Sequence, residues 1–282
     1  MIYSKYGEVF RRLRLQKNMS LSKLNSLSGV SKATISQFEN GKSLVSFDKL
    51  ESLLECMNIT VLDYSLIINN GLPEYFITQF QHIDDAYYNQ SEVDLHRLYE
   101  KNIEYKDEST YMIALCAKAT YTRLSEKEIQ EVEELLSAGQ LWGLYKLQVF
   151  VHTLEQINPN LVWCILEKFF ENENMFKYLK VLREYRVLLI NILIRAEWLF
   201  IESGCGVKAS IILTRLNNVA DESDLTSRAI TAILKGCYTY VFESQSSGLK
   251  VISNCLEIID FLGSVKLKNV LYRRVKLMKS RV

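Results

Sequence analysis

Between Ser31 and Gly41 the chain reads Ser-Lys-Ala-Thr-Ile-Ser-Gln-Phe-Glu-Asn-Gly, a spacing that fits a short helix with one wet side. Val30, Ile35 and Phe38 fall on the dry side, while Lys32, Ala33, Ser36 and Gln37 are left facing outward. These are short or hydrogen-bonding side chains on the first turns of an exposed helix, which suits the major groove of double-stranded DNA. There a lysine donates to guanine and a glutamine forms a bidentate pair with adenine. Ser31, with the backbone amides at the helix start, can hold a phosphate. Arg11, Arg12 and Lys42 flank the helix where the DNA backbone would pass, and Asn40 closes it on the same side.

Other chemistry finds little support. The chain has no HExxH, no P-loop and no GxGxxG, and Gly204-Cys205-Gly206 is too slight to cradle a phosphate. Its three histidines, His82, His96 and His152, are isolated, and its six cysteines stand singly without a CxxC pair. Zinc sites need clustered ligands and disulfide scaffolds are short and secreted, so no metal, no cofactor and no enzyme activity is expected. The start, MIYSKYGEVFRRLR, lacks the apolar stretch of a secretory signal, and the most apolar run, residues 187–194, is too short to span a membrane. A cytoplasmic protein is the expectation.

The elements that must position the short helix are helical throughout. Two prolines and 11 glycines in 282 residues are too few turn formers for an all-β chain, and 48% hydrophobic residues suffice for a buried core. The i, i+3, i+4, i+7 apolar rhythm predicts an all-α fold. Five helices precede residue 69. The first spans residues 4–17 with Val9, Phe10 and Leu13 inward. The second opens at the N-cap Ser20 and turns Leu21, Leu24 and Leu27 inward before Gly29. The third covers 32–40 and stops at Gly41, the fourth covers 46–57, and the fifth starts near Thr60. The breakers Asn69-Asn70-Gly71-Leu72-Pro73 mark a boundary between a head, 1–68, and a body, 72–282. Charge divides likewise. Residues 1–42 hold eight Lys/Arg against Glu8 and Glu39, whereas residues 70–263 are acidic and the last nineteen hold seven basic side chains and no acid. A cationic head on an acidic body is what a protein touching phosphates only with its head requires, although such runs are usually solvated faces.

The segment from Leu21 to Gly41 resembles the phage-repressor (XRE-like) helix-turn-helix over about residues 5–65, through its S-x-x-T-I-S-x-F-E-N-G core. The resemblance implies a buried ion pair between Arg14 and Glu39 that ties the first helix to the third. Two positions depart from it. Asn25 stands where that family usually has alanine, and Leu21 replaces a polar residue, so no base contact is expected there. The whole chain is similar to the Rgg/GadR/MutR regulators, which belong to the wider group of cytoplasmic peptide-pheromone receptors (RRNPP). That similarity implies a five-helix head on a degenerate tetratricopeptide-like solenoid, a homodimer on an inverted-repeat operator, and a short imported signalling peptide as ligand.

In the body, helical hairpins are expected to begin near Ser91, Ser125, Pro159, Cys205 and Ser246, spaced as in two-helix solenoids, with a compact bundle as the alternative. A long helix over residues 175–203 would be the spine. A concave solenoid face holds an extended peptide through its backbone, so polar side chains on apolar helices are the candidates. Asn191 interrupts VLLIN-ILI and can serve a peptide backbone, or it is a satisfied core amide. Arg183 and Arg186 can meet a carboxylate or form surface ion pairs, and Arg228 stands alone on an apolar helix. Tyr145, Phe150 and Trp198 line a pocket or pack in the core. His152 reports pH only if partly buried. The basic tail, including Lys266, Lys268, Arg273, Arg274, Lys276 and Lys279, reinforces DNA binding or is a solvated face. The competing function is a phage-type repressor or antitoxin-like protein whose helical body binds another protein.

Overall fold

A computed structural model describes residues 4–71, 74–139, 142–171 and 183–281. Among these the chain forms sixteen helices and no strand, and it divides into two compact units, residues 1–75 and 76–282. Leu72 and Pro73 of the breaker segment lie outside the described residues.

The first unit holds α1 (Ser4–Gln16), α2 (Leu21–Ser28), α3 (Lys32–Glu39), α4 (Phe47–Glu55) and α5 (Val61–Ile68). Its boundaries are written in cap residues. Ser20 Oγ accepts from the Lys23 amide, Ser31 Oγ from the Thr34 amide, and Thr60 with Asp63 closes a reciprocal capping box. Gly29 ends α2 at φ 73°, a left-handed turn that costs glycine little. Phe10, Leu24, Ile35, Phe38, Leu53 and Leu54 form the core. The Phe10 and Phe38 rings lie 5.4 Å apart, and Tyr64 donates its hydroxyl to the Tyr6 carbonyl at 2.7 Å. Leu27 is 57% exposed rather than inward. Successive steps of three residues rotate 60° backwards around a helix, so with Leu24 facing the core, Leu27 is carried to the rim.

The second unit begins with α6 (Tyr75–Tyr88), which the hairpin reading did not include. Helical pairs follow: α7 (Glu92–Glu104) with α8 (Glu108–Tyr121), and α9 (Glu126–Ser137) with α10 (Leu144–Thr153). Next come α11 (Pro159–Glu171) with α12 (Arg183–Glu202), α13 (Gly206–Val219) with α14 (Leu225–Phe242), and α15 (Gln245–Phe261) with α16 (Val265–Arg281). The first part of the expected spine helix lies outside the described residues. From Arg183 on it is continuous to Glu202 and packs against α10, α11, α13 and α14. Ten of its twenty residues are buried, which explains why it is apolar almost all round.

Candidate nucleic-acid interface and ligand groove

In the first unit α3 is held by three devices. Arg14 on α1 reaches Glu39 with two parallel hydrogen bonds, Nε to Oε1 at 2.6 Å and Nη2 to Oε2 at 2.8 Å, and gives Nη1 to the Met19 carbonyl at 2.6 Å. Both side chains are buried, and the bond to Glu39 raises the guanidinium pKa further above its ordinary value, against the penalty of burial. Asn25, the departure from the repressor pattern, donates Nδ2 to the Val30 carbonyl at 2.9 Å, so the larger side chain staples the turn between α2 and α3. Gly7 is the third device and was missed in the sequence. A Cβ there would sit 1.9 Å from the Phe38 carbonyl oxygen, so only glycine lets α1 lie on the end of α3. Its signal was a glycine inside an amphipathic helix, a position where it lowers helix stability and so calls for a packing reason.

So fixed, α3 presents Lys32, Ala33 and Gln37 exposed and Ser36 half-buried. Ser31 Oγ is engaged with the Thr34 amide at 3.1 Å, which leaves the amides of Lys32 and Ala33 as the donors at the helix start. Asn40 is exposed but turns Nδ2 back onto the Ser36 carbonyl at 2.7 Å. Lys42 follows at the surface, its amide on the Gln37 carbonyl, and Arg11 and Arg12 are exposed on α1. The arrangement offers a short polar rod flanked by cations.

In the second unit, a cavity of about 60 Å³ lies where α6, α10, α12, α14 and α16 meet. Asn191, half-buried, lines it beside Arg195 and Trp198 of the same helix. Asp84, Glu155 and Arg274 arrive from α6, the end of α10 and α16, a gathering that no single stretch of sequence announces. Arg274 Nη1 donates to Glu155 Oε2 at 2.6 Å, and its guanidinium lies 5.1 Å over the Trp198 ring. Burial works against the charge of Arg274, but Glu155 overcomes it and holds the pKa above its ordinary value. Asp84 is pushed up to about 6 by burial, with Arg195 opposing.

The other candidates are not gathered there. Phe150 is fully buried in a cluster with Trp142 and Phe169, a core residue with no surface to offer a ligand. Tyr145 gives its hydroxyl to the Ser109 carbonyl at 2.8 Å and packs its ring on Phe76 and Phe80. Arg186 is ion-paired with Asp221, while Arg183 and Arg228 are exposed away from the cavity. His152 is buried rather than partly exposed, stacked on Phe80 at 5.4 Å with its pKa lowered by burial and then by Arg195. The basic tail is not merely a solvated face. Besides Arg274, Lys266 donates to Asn89 and Lys268 pairs with Asp260 at 2.8 Å. Glu197 passed unnoticed: it is 0% exposed in α12, and neither carboxylate oxygen has a hydrogen-bond partner among the described residues. No described cluster of His, Cys, Asp or Glu could hold a metal ion, and no described helix is long and apolar enough to cross a membrane.

Comparison with known proteins places these geometries. Residues 79–272 match the family described as HTH-type transcriptional regulator Rgg, C-terminal domain, and residues 10–63 match a helix-turn-helix family. The chain is similar to the crystal structure of the SHP pheromone receptor Rgg2 of Streptococcus dysgalactiae (TM-score 0.73, 21% identity, 98% of this chain and 100% of that one). It is also similar to PrgX in its complex with cCF10 (TM-score 0.62, 14% identity, 98% and 93%). A third likeness is to ComR from S. thermophilus in complex with DNA and its signalling peptide ComS (TM-score 0.61, 15% identity, 97% and 99%). At these identities the structural likeness is one of fold.

Proposed function

Since the chain belongs to the Rgg family of HTH-type transcriptional regulators, we propose that it works in the cytoplasm as a homodimer that reads an inverted-repeat operator and answers to a short peptide. The head, residues 1–68, binds duplex DNA, and the helical body, residues 72–282, dimerises and senses. The observation that carries the DNA half is the exposed polar face of α3 on a frame tied by the Arg14–Glu39 pair. Lys32 and Gln37 read base edges from the major groove, with Ala33 and Ser36 close enough for apolar or hydroxyl contact. Arg11, Arg12 and Lys42 bind phosphates, which sets register without reading sequence. Two such helices in one dimer enter successive major grooves roughly 34 Å apart.

The peptide half rests on the polar cavity at Asn191 and on relatives whose own descriptions name them pheromone receptors or show them with a signalling peptide. Asn191 donates to and accepts from the peptide backbone, which apolar walls alone cannot align. The peptide changes regulation by its difference in affinity between two arrangements of the dimer. The test is selection of bound fragments from random duplexes, with sedimentation of the complex. Two inverted half-sites about one helical turn apart and two chains per duplex are expected. A protein that ignores duplex DNA at low salt, or binds it as a monomer without symmetry, overturns the reading.

A further inference from the structure

A groove of about 580 Å³ lies in the second unit and shares no lining residue with the cavity at Asn191. It is lined by the end of α7, the turn that follows, the start of α8, and α9. The helical period of α9 builds one wall. Val132 and Leu136 face the core, so Glu131, Glu134, Leu135 and Ala138, at i, i+3, i+4 and i+7, share another stripe, which lines the groove.

The lining has an apolar bed and an acidic margin. Ile103, Tyr111 and Leu135 are half-buried and Met112 is buried. Around them Asp107, Glu108 and Glu134 are exposed and Glu131 is half-buried, with Lys106 as the one cation among the described lining residues. Two of these carboxylates are fixed in place. Tyr111 donates its hydroxyl to Glu131 Oε2 at 2.6 Å, joining α8 to α9. Asp107 caps α8, and hydrogen bonds from Ser109 and Thr110 hold its carboxyl down to about 2, so it is ionised at neutral pH.

That chemistry selects its occupant. Carboxylates repel the phosphates of nucleic acid and of anionic lipid, so neither a duplex nor a membrane surface fits. Lysine and arginine lay their apolar stems over an apolar bed and keep their charged ends at its margin, which matches this lining. We propose that the groove docks a cationic amphipathic helix of another protein. Its apolar anchors, three and four residues apart, sit on Ile103, Tyr111 and Leu135, and its cations meet Glu108, Glu131 and Glu134. The docking uses no residue of α3 and none around Asn191, so it rests on neither the DNA-reading nor the peptide-sensing proposal. It gives the regulator a place to hold a protein partner by charge and apolar contact together.

The test uses the full chain and a labelled synthetic helix of leucine and lysine, followed by fluorescence anisotropy. The probe should bind, while a helix with glutamate in place of lysine, and one with the leucines scrambled off a single face, should not. Glu108→Lys/Glu134→Lys, both exposed, should weaken binding about ten-fold or more, as expected when attractive pairs become repulsive. Leu135→Ala should weaken it as well. Glu100→Lys/Glu257→Lys makes the same change of net charge outside the groove and should leave binding intact; circular dichroism checks that every variant is folded. Absence of binding, or equal weakening by the two double variants, overturns the proposal, the latter by showing attraction to the acidic body at large. Sedimentation of the chain alone decides the remaining occupant. If Glu108→Lys/Glu134→Lys changes the oligomeric state, the groove holds a second copy and the proposal falls.

Discussion

Glu197 offers a prediction whose size follows from the structure. Its carboxyl is fully buried in α12 without a hydrogen-bond partner among the described residues, and burial raises its pKa from 4.5 to about 9. Between those values the unfolded chain has released the proton and the folded chain retains it, so each rise in pH favours unfolding. One group titrating this way changes stability by about 1.4 kcal/mol per pH unit, a penalty of roughly 3 kcal/mol by pH 7. Glu197→Gln keeps the shape and abolishes the titration. The amide has its own desolvation cost, but that cost is the same at every pH and drops out when two pH values are compared. Urea unfolding followed by tryptophan fluorescence is the assay, because Trp142, Trp163 and Trp198 all lie in the second unit. From pH 5.5 to 8.5 the variant should gain about 4 kcal/mol on the wild type. Groups such as Asp84 and His152 titrate in both proteins and cancel. Parallel pH curves for the two proteins would refute the reasoning, showing a carboxyl that is hydrated or ionised in the folded state.

Three further outcomes are expected. Gly7→Ala drives a methyl into the Phe38 carbonyl, so it should destabilise the head by on the order of 3 kcal/mol, the upper range for overpacking; circular dichroism melting reads it, and an unshifted transition contradicts the close approach. Arg14→Met leaves the Glu39 carboxylate buried and unpaired and should cost about 3–5 kcal/mol, while Arg14→Met/Glu39→Met recovers most of it; additive losses in the double variant, measured by urea unfolding, contradict the pairing. Asn191→Ala should abolish the response to peptide with operator binding retained, read by fluorescence anisotropy of labelled duplex with and without peptide; a normal response removes Asn191 from the site.

What the sequence made legible was local. Ser20, Ser31 and Thr60 each satisfy an orphan amide a few residues on, so the head's helices and the wet face of α3 could be laid out from spacing alone. The Arg14–Glu39 pair, twenty-five residues apart, was reachable only through resemblance. Gly7 and Asn25 show the limit from another side: Gly7 was passed over and Asn25 stood only as a departure until the partner each approaches, Phe38 or Val30, was in place. In the body, helical spacing cannot distinguish a residue facing the core from one facing a groove. Phe150, left open between pocket and core, is a core residue, and Glu197 was overlooked. Asn191 was singled out as a polar break in an apolar run, but Asp84, Glu155 and Arg274 come from α6, the turn after α10 and α16, and meet it only in the folded unit.

The claim on which the account turns is that the exposed side of α3 reads bases. Its most direct measurement is the sequence preference of the Gln37→Ala protein on single-base variants of the selected operator, beside Arg12→Ala over a range of salt. Gln37→Ala should lose about 1–3 kcal/mol of discrimination at one position of each half-site and keep its affinity for unrelated duplex. Arg12→Ala should weaken binding to all sequences and flatten the salt dependence. A Gln37→Ala protein with the wild-type preference at every position would contradict the docking of α3 in the groove.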